Sequence, residues 1–157
     1  MAKEIKPYSP FQESFGNAVV KFMSVIQTWI YKKSGGKRGN KFLQGADVAL
    51  LTVVGRKSGK ERTTPLLFLE DGDNIVIVAS KGGFSQSPQW YFNLKANPDA
   101  KIQIGSQVRE MKAHEASPDE VAKAWPRLVK IYSDFDEYKV RAEMCEREIP
   151  LMVLTPV

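Results

Sequence analysis

Cysteine and histidine are almost missing from this 157-residue sequence, with one of each, Cys145 and His114. That excludes an internal disulfide, a zinc centre of Cys and His, and a multi-histidine metal site, so no metal is expected. The lone thiol suits a reducing cytoplasm. Familiar catalytic signatures are missing too. No G-x-G-x-x-G follows a strand and there is no P-loop. His114 ends a polar strand far from any G-x-S-x-G elbow, so it reads as a solvated strand residue and not as part of a triad. Nor is there a long apolar run. Phe15 to Tyr31 is broken by Asn17, Lys21, Ser24, Gln27 and Thr28, whereas a membrane-spanning helix takes about 20 predominantly apolar residues. Met1–Lys6 carries both signs of charge and is followed by Pro7 and Pro10, unlike a cleavable leader.

What is present is the composition of one soluble domain with a real core: 43% apolar and 26% charged residues. The net charge of +5 is unevenly spread. Residues 1–62 hold twelve basic and four acidic side chains, net +8, and residues 63–157 hold eleven and fourteen, net −3. Positive charge gathered in one part of a chain implies an anionic ligand, a phosphate polymer or a membrane surface.

Apolar residues at Phe11, Phe15, Val19, Phe22, Met23, Ile26, Trp29 and Ile30 recur at helical spacing. Gly35-Gly36 ends that helix, and the basic, glycine-rich Lys32–Lys41 reads as a mobile linker. Strands are expected over Val48–Gly55, Arg62–Glu70, Asn74–Ser80, Lys101–Ile104, Gln107–Glu115 and Leu151–Thr155, with hairpin turns at Asp71-Gly72-Asp73-Asn74 and Gly105-Ser106. Short helices are expected at Pro88–Ala96, from the capping box Ser117-Pro118-Asp119-Glu120, and from Phe135 to Glu146, with Pro126 kinking or ending the first half of the second. Hairpin-linked strands without long crossovers favour a mainly β, α+β fold: a split barrel of about six antiparallel strands with flanking helices. Residues 1–41 form a helical, basic appendage and 42–157 the barrel. Glu143, Glu146 and Arg147 read as a solvated helix face.

Three patches carry chemistry. In Gly55–Pro65, Arg56, Lys57, Lys60 and Arg62 lie within seven residues of a tight turn, a donor set suited to phosphate or several carboxylates. Ala79-Ser80-Lys81-Gly82-Gly83 ends a strand with a hydroxyl, a cation and two glycines, so backbone amides can approach a flat polar ring or an anion. In Pro88–Leu94, Phe92 and Leu94 read as core, whereas Trp90, Tyr91 and Asn93 combine apolar surface with polar handles.

The runs GRKSGKERTTPLLFL, IVIVASKGG and SPQWYFNLKANP, in this order, resemble the deazaflavin-dependent nitroreductase family of actinobacteria, over about Trp29 to Pro156. The resemblance implies a split β-barrel that binds coenzyme F420, an 8-hydroxy-5-deazaflavin with a phospholactyl-oligoglutamate tail. By similarity, Arg56, Lys57, Ser58, Arg62 and Thr64 hold the tail. Pro65 and Leu66 border the ring, Val78, Ala79, Ser80 and Lys81 line it, and Gln89, Trp90, Tyr91 and Asn93 close the other side. The anionic tail accounts for the basic half of the chain.

The implied activity is hydride transfer from reduced F420 to a hydrophobic acceptor: a quinone such as menaquinone, an enone or a nitro compound. The resemblance places Tyr132, Phe135 and Tyr138 in the acceptor wall with Leu67 and Trp90, and gives Ser80, Tyr138 and Tyr132 the catalytic contacts. Phe135 and Leu67 stand where some members carry tyrosine, removing two hydroxyls from the substrate side. The aromatic stripe of the first helix, beside Lys21, Lys32, Lys33, Lys37 and Arg38, suits the inner surface of an anionic membrane. It also suits packing on the barrel or across a dimer, and monomer and homodimer both stay open. One alternative is an FMN oxidoreductase of the same barrel superfamily, although FMN ends in one phosphate and needs fewer cations. A nucleic-acid-binding barrel fits less well, because the second half is acidic and its strands lack aromatic rows.

Overall fold

A computed structural model describes residues 4–157; the first three residues of the stretch read as unlike a leader lie outside it. Seven strands form one antiparallel sheet: β1 (Val48–Val54), β2 (Glu61–Leu67), β3 (Leu69–Asp71), β4 (Asn74–Val78), β5 (Asp99–Ile104), β6 (Gln107–Glu115) and β7 (Leu151–Pro156), in the order β2-β1-β5-β6-β7-β4-β3. The two edge strands, β2 and β3, are consecutive in the chain and separated only by Phe68. A sheet whose far edges are joined by one residue has to curl until they meet, so it closes into a half-barrel at a corner. Here the sequence suggests one strand over Arg62–Glu70; the buried Phe68 splits it, which is why there are seven strands. Pro65, which cannot donate to a ladder, sits on the edge strand β2.

Alternation along the strands builds two apolar layers. Ala49, Leu51, Val53, Ile75, Ile77, Ile102, Met111, Met152 and Leu154 fill the interior with Phe68, Trp90 and Leu94. Leu69, Val76, Val78, Leu151 and Val153 face outward, covered by α3 (Pro118–Ile131) and α4 (Asp134–Glu143) through Ala124, Leu128, Tyr132 and Phe135. The Ser117 capping box forms as the sequence indicates. Pro126 does not interrupt α3. The carbonyl of Ala122, which loses its helical partner there, lies on an exposed stretch where water can satisfy it.

Helix α1 (Pro10–Lys33) docks by its polar side. Glu13, Gly16, Ser24, Gln27 and Thr28 are half-buried, while Phe11, Phe15, Phe22, Met23 and Trp29 are exposed. Tyr31 is the anchor: fully buried, its hydroxyl accepts from Gly105 N–H at 2.8 Å and donates to the Gln103 carbonyl at 3.4 Å. The segment read as a linker is folded back. Gly36 passes so close over the β5–β6 turn that a Cβ there would lie 2.3 Å from the Gly105 oxygen, and Val48 N–H bonds the Asn40 carbonyl at 2.9 Å.

Candidate functional site

The basic turn between β1 and β2 is closed by its own atoms. Gly55 N–H donates to the Lys60 carbonyl and Gly59 N–H to the Gly55 carbonyl, both at 2.8 Å, with Gly59 at φ 68°. Ser58 Oγ accepts from Lys60 N–H at 3.2 Å. Glu61 is engaged by Lys101 at 3.3 Å, so Lys57, Lys60 and Arg62 form no ion pair among the described residues. Exposed cations without carboxylate partners are the donor set a polyanionic tail requires, and on that ground the turn fits the group the sequence implies.

Helix α2 (Gln89–Ala96) presents three faces. Gln89, Phe92 and Asn93, at i, i+3 and i+4, meet the basic turn. The buried Asn93 Oδ1 accepts from Arg56 N–H at 3.1 Å and from Arg56 Nη1 at 2.9 Å, while Gln89 Oε1 accepts from Arg56 Nη2 at 3.1 Å. The Arg56 guanidinium also lies 5.3 Å from the Phe92 ring centre, so Phe92 is a shelf for the cation and not the core residue the sequence suggests. Trp90 and Leu94 point into the barrel interior. Tyr91 and Lys95 form the third face, both bonded to Glu115, at 3.1 and 2.7 Å. The structure therefore brings Gln89 and Asn93 to the basic turn, and places Trp90 in the core and the Tyr91 hydroxyl on Glu115. On β2, Thr64 and Pro65 are half-buried opposite Leu51 and Leu50; Leu66 packs inward and Leu67 outward.

Beyond β4 the chain makes a short 3₁₀ turn, Lys81–Gly83, in which Lys81 (φ 45°), Gly82 (φ 62°) and Gly83 (φ 76°) are all left-handed. Of the two glycines, Gly83 permits close approach to a helix, whereas Gly82 faces only the Phe84 ring. A Cβ on Gly83 would sit 2.6 Å from the Tyr138 carbonyl oxygen and 3.0 Å from Arg141 Cβ. The loop thus lies directly on α4 through Gly83, and Ser80 and Lys81 are half-buried. Val78 faces the outer layer and Ala79 the interior. Burial holds the Lys81 ammonium below its ordinary pKa, opposed by Glu13 and reinforced by Arg147.

The three aromatics of the acceptor wall are contiguous but unequal. Tyr132 and Phe135 are buried, edge-to-face at 5.2 Å, and only Tyr138 keeps substantial exposure. The Tyr132 and Tyr138 hydroxyls share a 3.0 Å hydrogen bond. Desolvation pushes both phenols above the ordinary tyrosine pKa, so both remain protonated through neutral pH. Gln44 fixes the start of α4 by accepting from Ser133 N–H and Oγ at 3.3 and 3.1 Å. Two surface hollows of about 300 Å³ lie elsewhere, one beside Glu61 and Lys101, the other beside Asp71 and Arg127, and carry no comparable chemistry.

Sequence reasoning missed two arginines. Arg141, which is buried, donates from Nε to the Lys6 carbonyl at 2.9 Å and from Nη2 to Glu137 at 2.7 Å, and lies 4.4 Å from the Tyr8 ring centre. Arg147, read as part of a solvated face, turns inward onto the loop after β4. Helical spacing marks only the Arg141–Glu137 pair; the other partners, Lys6 for Arg141 and residues 79–87 for Arg147, lie 60 or more residues away in the chain.

Known proteins align with this arrangement. A Mycobacterium tuberculosis protein provisionally named an F420H(2)-dependent quinone reductase is 45% identical over 118 residues, covering 75% of this chain and 97% of that one. A second from the same species, named F420H(2)-dependent quinone reductase, is 36% identical over 128 residues, covering 80% and 85%. A solved structure described as F420-H2 dependent reductase FDR-A superposes with a TM-score of 0.62 at 37% identity, over 68% of this chain and 92% of that one. Another, described as a domain-swapped dimer, gives 0.65 at 34% identity, over 82% and 93%. The family model described as F420H(2)-dependent quinone reductase matches residues 23–156, and with most of the described fold inside that span, the chain belongs to the F420H(2)-dependent quinone reductase family.

Proposed function

We propose that the protein reduces a quinone with reduced F420, gripping the cofactor at two ends. The observation that carries this reading is the pairing of a basic turn whose Lys57, Lys60 and Arg62 have no carboxylate partner among the described residues with a polar loop laid against the Tyr138 backbone. Lys57, Lys60, Arg62 and the Ser58 hydroxyl bind the phosphate and glutamates. Arg56, held by Asn93 and Gln89, sets the height of α2 above the turn. Thr64, Pro65 and Leu66 border the ring from β2, and Ala79, Ser80 and Lys81 bound its other edge.

When bound, reduced F420 supplies a hydride from the ring carbon that stands where a flavin has N5. Reduction of a quinone to its quinol consumes that hydride and one proton. Tyr138, protonated at neutral pH, donates its Oη–H to the acceptor carbonyl and regains a proton from solvent at its exposed edge; Tyr132, hydrogen-bonded to it, holds the Tyr138 ring in place. Ser80 orients the acceptor from below. Phe135 and Leu67 supply apolar packing from the outer layer that limits water at the acceptor, while Trp90 lies in the interior cluster with Ala79.

The same proposal covers the helical segment ahead of residue 42. Among the described residues no helix is long and apolar enough to cross a membrane. The exposed stripe of Phe11, Phe15, Phe22 and Trp29, with Lys21, Lys32 and Lys33 on the same helix, is suited to resting on an anionic membrane surface, where long-chain quinones partition. Packing of the stripe across a dimer of two copies is the other arrangement that covers it. Sedimentation velocity, with and without anionic vesicles, separates the two arrangements.

The test is anaerobic mixing with chemically reduced F420 and menaquinone, following recovery of the oxidised deazaflavin absorbance. Quinone-dependent reoxidation supports the proposal. Tight FMN binding with no F420 titration signal overturns it in favour of a flavin enzyme.

A further inference from the structure

Among the described residues the Arg147 side chain donates four hydrogen bonds, one more than Arg56 makes to α2. It lies just past α4, where the chain reverses: Glu146 takes a left-handed φ of 56°, and Arg147 N–H bonds back to the Ala142 carbonyl at 3.0 Å. A non-glycine residue in that region is uncommon and costs energy, so the surrounding contacts have to over-determine it. The reversal sends the guanidinium into the loop between β4 and α2. Nη2 donates to the Ala79 carbonyl, Nη1 to the Ser80 carbonyl at 3.1 Å and the Phe84 carbonyl at 2.6 Å, and Nε to Ser87 Oγ at 3.3 Å.

The loop's opposite polarity is met from the other side. Glu13, in the first turn of α1, accepts from Ser85 N–H and from Ser85 Oγ, each at 2.7 Å. A cation thus takes the carbonyls and a carboxylate takes an amide. Because a guanidinium is a rigid planar fork with five donors, it can bridge carbonyls from positions 79, 80 and 84, which a lysine ammonium on a flexible stem cannot do with the same geometry.

We propose that Arg147 is a positioning residue for the ring end of the cofactor: it holds the Ala79–Ser87 backbone in the conformation against which the deazaflavin lies. This rests on the reading that the ring borders Ala79, Ser80 and Lys81. Arg147 acts through that backbone, and its loss is expected to loosen the ring while leaving the tail clamp unaltered.

The test combines F420 titration, the absorption spectrum of bound F420 at saturation, and hydrogen exchange over residues 79–87, in the wild-type protein and in Arg147→Lys, Arg147→Met, Ser87→Ala and Lys57→Ala. In Arg147→Lys and Arg147→Met the loop is expected to exchange about tenfold faster with the β-strands unchanged, and affinity to fall about tenfold. The bound spectrum is expected to move toward that of free F420. Ser87→Ala, which removes one bond and leaves the fold intact, is expected to shift affinity by about two- to threefold in the same direction; it carries the test if Arg147→Met fails to fold. Lys57→Ala is expected to weaken affinity with the loop exchange and the bound spectrum unchanged. If Arg147→Met keeps the wild-type loop exchange and spectrum, Arg147 only fills space and the inference is overturned. If F420 binds the wild-type protein without protecting residues 79–87, the ring placement itself is wrong and the inference falls with it.

Discussion

The turn at Arg56–Arg62 and the loop at Ala79–Ser87 are both short, polar and glycine-bearing, yet they are held by opposite means. The turn is closed mainly from within, by Gly55, Ser58, Gly59 and Lys60; helix α2 takes only Arg56, which leaves Lys57, Lys60 and Arg62 for a ligand. The loop is closed from outside, by Glu13, Arg147 and the backbone of α4. A self-closed turn tolerates change and can be tuned for charge. A loop locked by distant elements couples ligand geometry to the whole fold.

Alanine at one left-handed glycine in each region sharpens this contrast most. Gly83→Ala meets both an unfavourable φ and the Tyr138 backbone, and is expected to cost about 3 kcal/mol in a denaturant melt. Gly59→Ala has nothing within 4 Å and is expected to cost about 1 kcal/mol. Equal losses would erase the distinction between the two regions. Next in size is Asn93→Ala, which frees Arg56 from α2 and is expected to weaken F420 binding by about 2 kcal/mol, read by titration. Tyr138→Phe is expected to lower turnover about tenfold with little change in F420 affinity; equal losses in both would move Tyr138 from the acceptor side to the cofactor. Lys57→Ala and Arg62→Ala, both exposed, are expected to cost about 1 kcal/mol of affinity each at low salt, and less as salt rises. The smallest effect is that of pH. Because both phenols titrate above their ordinary value, the protonated forms persist through neutrality, and quinone turnover is expected to stay level past the pH of about 10 at which an ordinary phenol loses its proton. A decline centred nearer neutrality would assign the proton to another group.

The same contrast explains what could be read from the sequence. The strands, the hairpin at Asp71–Asn74, the Ser117 capping box and the basic turn are local patterns, decided by neighbours within a few residues, and they stand where the pattern places them. Phe68 splitting a strand, Pro126 tolerated inside α3 and α1 docking by its polar face depend on what the finished fold brings near. Within the site, Arg56, Gln89 and Asn93 converge because helical spacing aligns Gln89 and Asn93. The inward turn of Arg147 depends on the left-handed Glu146, which no composition rule marks. Trp90 is amphipathic in sequence, and its buried side is chosen by the barrel interior.

The two-ended grip is tested most directly by comparing hydrogen-exchange footprints of full-length F420 and of the same deazaflavin lacking its phosphate and glutamates. The whole cofactor should protect both Arg56–Arg62 and Ala79–Ser87, and the truncated one only Ala79–Ser87. Protection of the turn by the truncated ring, or of neither region by the whole cofactor, would contradict the account.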